Sequence, residues 1–123
     1  MTYIVLLEDD KDVAEVMCDA LRSEGHRCFV IRSRRTAERF LSRVRPDLVI
    51  VDCLLVGGDG LELAGQFASE TSVPVIVTSG DETRADEAER AGFTCLRKPF
   101  SLRELVATVS LLLVRDEETR TTG

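Results

Sequence analysis

Histidine is nearly absent from this 123-residue chain, His26 being the only one. The four cysteines, Cys18, Cys28, Cys53 and Cys95, are spread out and form no CxxC pair. Zinc sites draw on clusters of these two residue types, so the pattern argues against zinc. Four reduced thiols, mostly buried as small hydrophobes, are expected instead. No apolar run approaches the roughly 20 residues that span a bilayer. Met1 to Glu8 passes straight into a short apolar run that acid ends, whereas a secretory signal has a basic start and a longer apolar stretch. A cytoplasmic location without membrane contact is expected. Positive charge is also short. Sixteen Lys and Arg face 22 Asp and Glu, a net charge of −6, so direct nucleic-acid binding by this chain is not expected. Only Lys11 and Lys98 are lysine, which makes the place of Lys98 worth following.

What is present suits one domain with a core of its own. Two hydrophobic periods alternate along the chain. Tyr3 to Leu7 is a compact apolar run that suits a strand buried on both faces. Lys11 to Glu24 has helical spacing and stops at Gly25. Strand Cys28 to Ile31, helix Thr36 to Val44 and the apolar strand Leu48 to Val51 follow. Val56 to Gly60 reads as a loop, then helix Leu61 to Ser69 and the β-branched strand Val73 to Val77. Asp81 to Ala91 is a polar helix with an inner face of little beyond Ala85, Ala88 and Ala91, which predicts the loosest packing. Phe93 to Leu96 is a last strand. Ser101 and Glu104 open a final helix with a capping-box pattern, running to about Arg115. Asp116 to Gly123 reads as a frayed tail or linker stub.

Five βα units imply an α/β fold, a doubly wound parallel sheet with helices on both faces. Ligands of such sheets bind beyond the carboxyl ends of the strands. Polar residues gather there. Strand one ends in Glu8-Asp9-Asp10, strand three in Asp52, strand four in Thr78-Ser79, and strand five runs into Lys98-Pro99. Arg32 and Ser33, after strand two, fit no site. Three carboxylates on one edge repel each other, and a hard divalent cation relieves that. Mg²⁺ favours a site that a phosphoryl group completes. The plain alternative, a solvated acidic loop, explains Glu8-Asp9-Asp10 but not Asp52, Thr78 and Lys98 at the same edge.

Five segments carry a family resemblance: Ile4 to Asp10, Pro46 to Asp52, Gly58 to Leu63, Val75 to Gly80, and Lys98-Pro99-Phe100. In this order and spacing, across residues 3 to about 115, the chain resembles the receiver domains of bacterial two-component response regulators, such as the chemotaxis receiver. The resemblance implies a flavodoxin-like sheet of order 2-1-3-4-5 with five helices. It implies a receiver domain over residues 1–115 and a tail over 116–123. Asp52 would be the phosphoacceptor. Asp9, Asp52 and the backbone carbonyl of Leu54 would hold Mg²⁺ directly and Glu8 through water, and Asp10 would be a solvated or helix-leading residue. Thr78 and Lys98 would meet the phosphoryl group, and a cis Lys98–Pro99 peptide is expected. The donor would be a sensor histidine kinase or phosphotransfer protein. The output, on helix four, strand five and helix five, would go to a downstream domain or protein. Such a domain is not an enzyme beyond its own phosphorylation and slow dephosphorylation.

Departures from the family sharpen these expectations. Val56 stands where a proline is common, which predicts a looser loop. Gly92 to Lys98 is one residue shorter than the commonest form. Counting back from Lys98, Cys95 falls at the usual aromatic switch position. Phe93 would replace that aromatic only if the register shifts. Leu54 and Gly80 cannot orient water, which predicts slow loss of phosphate. In the last helix, Leu102, Leu105, Val106, Val109, Leu112 and Leu113 have core spacing. Leu111 and Val114 lie on another face and allow a dimer contact. Met1 directly before strand one reads as a natural start, favouring a stand-alone regulator or N-terminal receiver. Two rivals remain. A haloacid-dehalogenase-type phosphatase needs an acid at the position of Leu54. A non-phosphorylated pseudo-receiver usually lacks a site residue, and none is missing here.

Overall fold

The computed structural model describes residues 2–55 and 57–122, the side chains of 119–122 excepted. The Val56 expectation therefore lies outside the described residues. Five strands make one parallel sheet: β1 (Tyr3–Leu7), β2 (Arg27–Ile31), β3 (Leu48–Asp52), β4 (Val75–Ser79) and β5 (Thr94–Arg97). Their order is β2-β1-β3-β4-β5. Between them run α1 (Lys11–Ser23), α2 (Arg34–Leu41), α3 (Gly60–Glu70) and α4 (Glu82–Arg90), and α5 (Leu102–Thr122) ends the fold. The fold is thus the doubly wound α/β sheet that the alternating periods predict, with the strand order that the resemblance implies.

Strand alternation divides the core into two layers. Val5, Leu7, Val49, Val51, Val75 and Val77 face Leu63, Ala64, Phe67 and Ala88 of α3 and α4. Ile4, Leu6, Leu48, Ile50 and Ile76 face Met17, Leu21, Leu105 and Val109 of α1 and α5. Every residue of β3 and β4 is buried, which is why both read as unbroken apolar runs up to their last residues. Helix starts are set by Asp10, Ser33, Asp59 and Asp81, whose side chains accept first-turn amides. Gly92, at φ 93°, ends α4 by the left-handed turn that glycine takes without penalty.

Several expectations change. Cys18 of α1 and Cys28 of β2 form a disulfide with Cα atoms 5.6 Å apart, so four reduced thiols are not what the fold holds. The helix packs across the strand and brings two distant-looking thiols face to face; Cys53 and Cys95 remain free. Within the stretch expected to be a loop, Val56 to Gly60, Gly58–Asp59 instead pairs antiparallel with Leu54–Leu55. Helix α5 continues past Arg115 to Thr122, because residues 116–122 contain no Gly or Pro to stop it. Leu102, expected in the core, is exposed, while Leu105 and Val109 are fully buried. Phe93 and Cys95 pack against the same cluster, as residues two apart along an extended chain do, so Phe93 needs no register shift to reach that side.

Candidate functional site

The carboxyl ends of β1, β3 and β4 meet beside the β5–α5 turn. Glu8 follows β1 directly and is 1% exposed, Asp52 ends β3 at 6%, and Asp9 is half-buried. One carboxylate oxygen from each of the three lies within 4.8 Å of the others, a set of hard donors that fits a divalent cation. Asp52 is paired in register with Thr78, which is buried at the end of β4.

Lys98 joins two of the acids. Its Nζ donates to Glu8 Oε1 at 2.9 Å and to Asp52 Oδ2 at 2.7 Å. The Lys98 amide donates to the Ser79 carbonyl at 2.7 Å, and the peptide to Pro99 is cis. Burial pushes the Glu8 carboxyl above the ordinary carboxylate range, although Lys98 and the Asp10 amide pull the other way. Burial pulls the Lys98 ammonium down, but the bonds to Asp52 and Glu8 win and hold it above the ordinary lysine value. The other Asp52 oxygen, Oδ1, accepts the Leu54 amide at 3.1 Å. The Leu54 side chain is 65% exposed at the rim. Ser79 Oγ donates to the Asp81 carbonyl and accepts the Asp81 amide, which shapes the turn from β4 into α4.

Gly60 is indispensable to this geometry. A Cβ there would sit 1.7 Å from the Asp52 carbonyl oxygen. The Gly60 amide bonds the Cys53 carbonyl at 2.8 Å, so the start of α3 lies directly on the acceptor strand.

The structure brings together Glu8, Asp9, Asp52, Thr78 and Lys98, with the Leu54 backbone beside them. Asp10 is not in the cluster; it caps α1. Arg32, which the sequence reading left without a role, donates to the Asp9 carbonyl at 3.1 Å, and Ser33 caps α2. Two further arginines were missed: Arg34 pairs with Glu62, and Arg84 with Asp59, both at the start of α3. Their signal was a basic residue in the first turn of a helix, where acids are favoured.

Comparison with known proteins gives a consistent picture. Residues 4–110 match the family model of the response regulator receiver domain. The chain is 30% identical over 118 residues to the sensory transduction protein RegX3 of Mycobacterium tuberculosis, covering 94% of this chain and 52% of that protein. It is 30% identical, with the same coverage, to the DNA-binding response regulator MtrA of Mycolicibacterium smegmatis. The chain thus spans about half the length of the curated relatives it matches. Among solved structures, the receiver domain of the Francisella response regulator 1452 has a TM-score of 0.85 at 24% identity, covering 94% of this chain and 98% of that one. NtrX of Brucella abortus has a TM-score of 0.89 at 25% identity, covering 98% of this chain and 28% of that one.

Proposed function

The chain belongs to the response regulator receiver domain family, and from that premise we propose that Asp52 accepts a phosphoryl group from a phosphohistidine of a sensor histidine kinase or phosphotransfer protein. The observation that carries this reading is the pair of hydrogen bonds that Lys98 donates to Glu8 and Asp52, with the Asp9 carboxylate in the same cluster and Thr78 opposite Asp52. An Asp52 oxygen forms the new O–P bond as the donor's N–P bond breaks. Little else is covalent, so the site's task is positioning and charge neutralisation. Glu8, Asp9, Asp52 and the Leu54 carbonyl would hold Mg²⁺, which supplies positive charge for the phosphoryl oxygens. Lys98 turns its ammonium from the carboxylate to a phosphoryl oxygen, and Thr78 offers its hydroxyl to another.

Phosphorylation then biases the β4–α4 turn and α4, so that α4, β5 and α5 form the output face. The partner reading that face is a downstream output domain or protein, and the receiver domain occupies residues 1–115, with 116–123 a polar tail or linker stub. The chain acts in the cytoplasm as a signalling switch and not as a turnover enzyme. A phosphatase role has no support at position 54, where an exposed leucine cannot act as acid or base. With Leu54 and Gly80 unable to orient water, phosphate is lost over minutes or longer.

Intact mass spectrometry after incubation with acetyl phosphate and Mg²⁺ tests the reading. Wild type gains one phosphate and Asp52→Asn gains none. Phosphate on neither protein leaves a pseudo-receiver, phosphate on both removes Asp52 as the acceptor, and a half-life of seconds contradicts the slow release.

A further inference from the structure

The segment after Asp52 has a weak frame of its own. Two residues on each side, Leu54–Leu55 and Gly58–Asp59, pair antiparallel. A ribbon that short does not hold itself in water. Yet Leu54 sits at the acceptor, its amide on Asp52 Oδ1. What holds the ribbon comes from outside it.

Two arginines grip the strand opposite Leu54 and Leu55. Asp59 is the register partner of Leu54, and Gly58 is that of Leu55. Arg84 of α4 bonds Asp59 Oδ1, an oxygen that also accepts the Leu61 amide at 2.9 Å. Its other nitrogen holds Glu87 at 3.0 Å, which fixes the guanidinium. Arg34 of α2 lies over Gly58, where a Cβ would come 2.5 Å from the Arg34 Cδ. The same guanidinium reaches Glu38 at 2.8 Å and Glu62 of α3 at 2.9 Å.

Both arginines stand at helix starts, where their charge opposes the dipole even though each also pairs within its own helix, Arg34 with Glu38 and Arg84 with Glu87. Arg34 is the first residue of α2 and Arg84 the third of α4. A helix start favours negative charge. A residue that opposes a local preference while meeting partners on other elements marks a functional constraint.

We propose that Arg34 and Arg84 are positioning residues that clamp the Leu54–Leu55/Gly58–Asp59 ribbon, hold Leu54 beside Asp52, and thereby set the affinity of the acidic cluster for Mg²⁺. The inference rests on the reading that Glu8, Asp9, Asp52 and the Leu54 carbonyl form the cation site. Outer groups that orient metal ligands are worth about 10–100-fold in affinity. The lower end applies here, since the clamp acts on one backbone ligand of four.

The experiment compares wild type, Arg34→Met, Arg84→Met, the double variant and the two Lys replacements. NMR amide exchange at Leu54, Leu55, Gly58 and Asp59 reads the ribbon, and calorimetric titration with Mg²⁺ alone reads the site. In the double variant the ribbon amides exchange roughly tenfold faster and Mg²⁺ binds roughly tenfold more weakly. Exchange in β1, β3 and β4 stays at the wild-type rate. Each Met variant shows part of the effect, and Lys restores part of it by keeping charge without the fork. Unchanged ribbon exchange overturns the clamp. So does faster exchange with Mg²⁺ affinity unaltered. A wild type that binds no Mg²⁺ removes the cation-site reading itself, a result distinct from a double variant that binds Mg²⁺ as tightly as wild type.

Discussion

Replacing Lys98 with Met removes one ammonium from between two buried carboxylates. The side chains of Glu8 and Asp52 are only 2% and 9% exposed, and Lys98 reaches them at 2.9 and 2.7 Å. Stranding a buried charge costs about 3–5 kcal/mol. Glu8 has a way out, because burial already raises its pKa above the ordinary 4.5. Taking up a proton therefore costs Glu8 less than it would cost an ordinary carboxylate, which favours the lower end of that range. The deficit should therefore settle near ~3 kcal/mol, and for a chain of this size it lowers the thermal midpoint by roughly 10–15 °C. The pH dependence has a definite sign. A carboxyl whose folded pKa is raised favours the folded state when protonated, and that contribution is lost as pH rises through the folded pKa. The Lys98→Met deficit is thus largest at pH 7 and above, and shrinks as pH falls toward 4.5. If the cluster holds Mg²⁺ as proposed, millimolar Mg²⁺ should supply the missing positive charge and narrow the gap. Thermal unfolding by circular dichroism at pH 5 and pH 7, with and without Mg²⁺, reads all of this. A variant within about 3 °C of wild type at pH 7 without divalent cation, or a deficit equal at both pH values, refutes the reasoning.

Three other outcomes follow from separate features. Gly60→Ala should lose at least about 3 kcal/mol in urea unfolding, because its Cβ meets backbone that cannot give way. Burial raises the Asp59 carboxyl, but the bonds from Arg84 and the Glu62 and Leu61 amides outweigh it and hold the group below its ordinary 3.8. Its contribution to stability is therefore present above that value and lost as pH falls through the depressed pKa. Carboxyl NMR titration should show the Asp59 midpoint rising in Arg84→Met, and an unmoved midpoint would deny the pairing. Leu111 and Val114 are 50% and 52% exposed on α5. Sedimentation should show a phosphate-dependent dimer in wild type that is absent in Leu111→Asp/Val114→Asp, and a monomer under every condition removes the dimer contact.

Much of the fold was legible because two periods alternate without ambiguity. Strands buried on both faces must be apolar throughout, so β3 and β4 announced themselves, and Asp52 and Thr78 stood out as the polar residues that end them. The assembly of the cluster followed, since parallel strands bring their carboxyl ends to one edge. What escaped depends on angles that no period encodes. Cys18 and Cys28 meet because of how α1 crosses β2. Arg34 and Arg84 find α3 through side chains long enough to span between helices, and spacing along the chain is blind to that reach. Leu102 fits the α5 stripe by number, but it stands at the helix start, outside the layer where Leu105 and Val109 are buried.

The inner face of α4 is Ala85 and Ala88 alone, both fully buried. Alanine methyls have no side-chain rotamers to unlock and reach only a short way into the sheet. The helix therefore rests on the sheet without teeth, and little friction opposes a small glide or roll. What resists is held at its rim: Arg84 on Asp59, and Arg97 of β5 on Asp86 and Glu89. Exposed ion pairs weaken as salt rises, while buried methyl contacts do not. The tempo at which α4 leaves its seat should then follow ionic strength, so that the domain's responsiveness is tuned from the solvent side and not from its core.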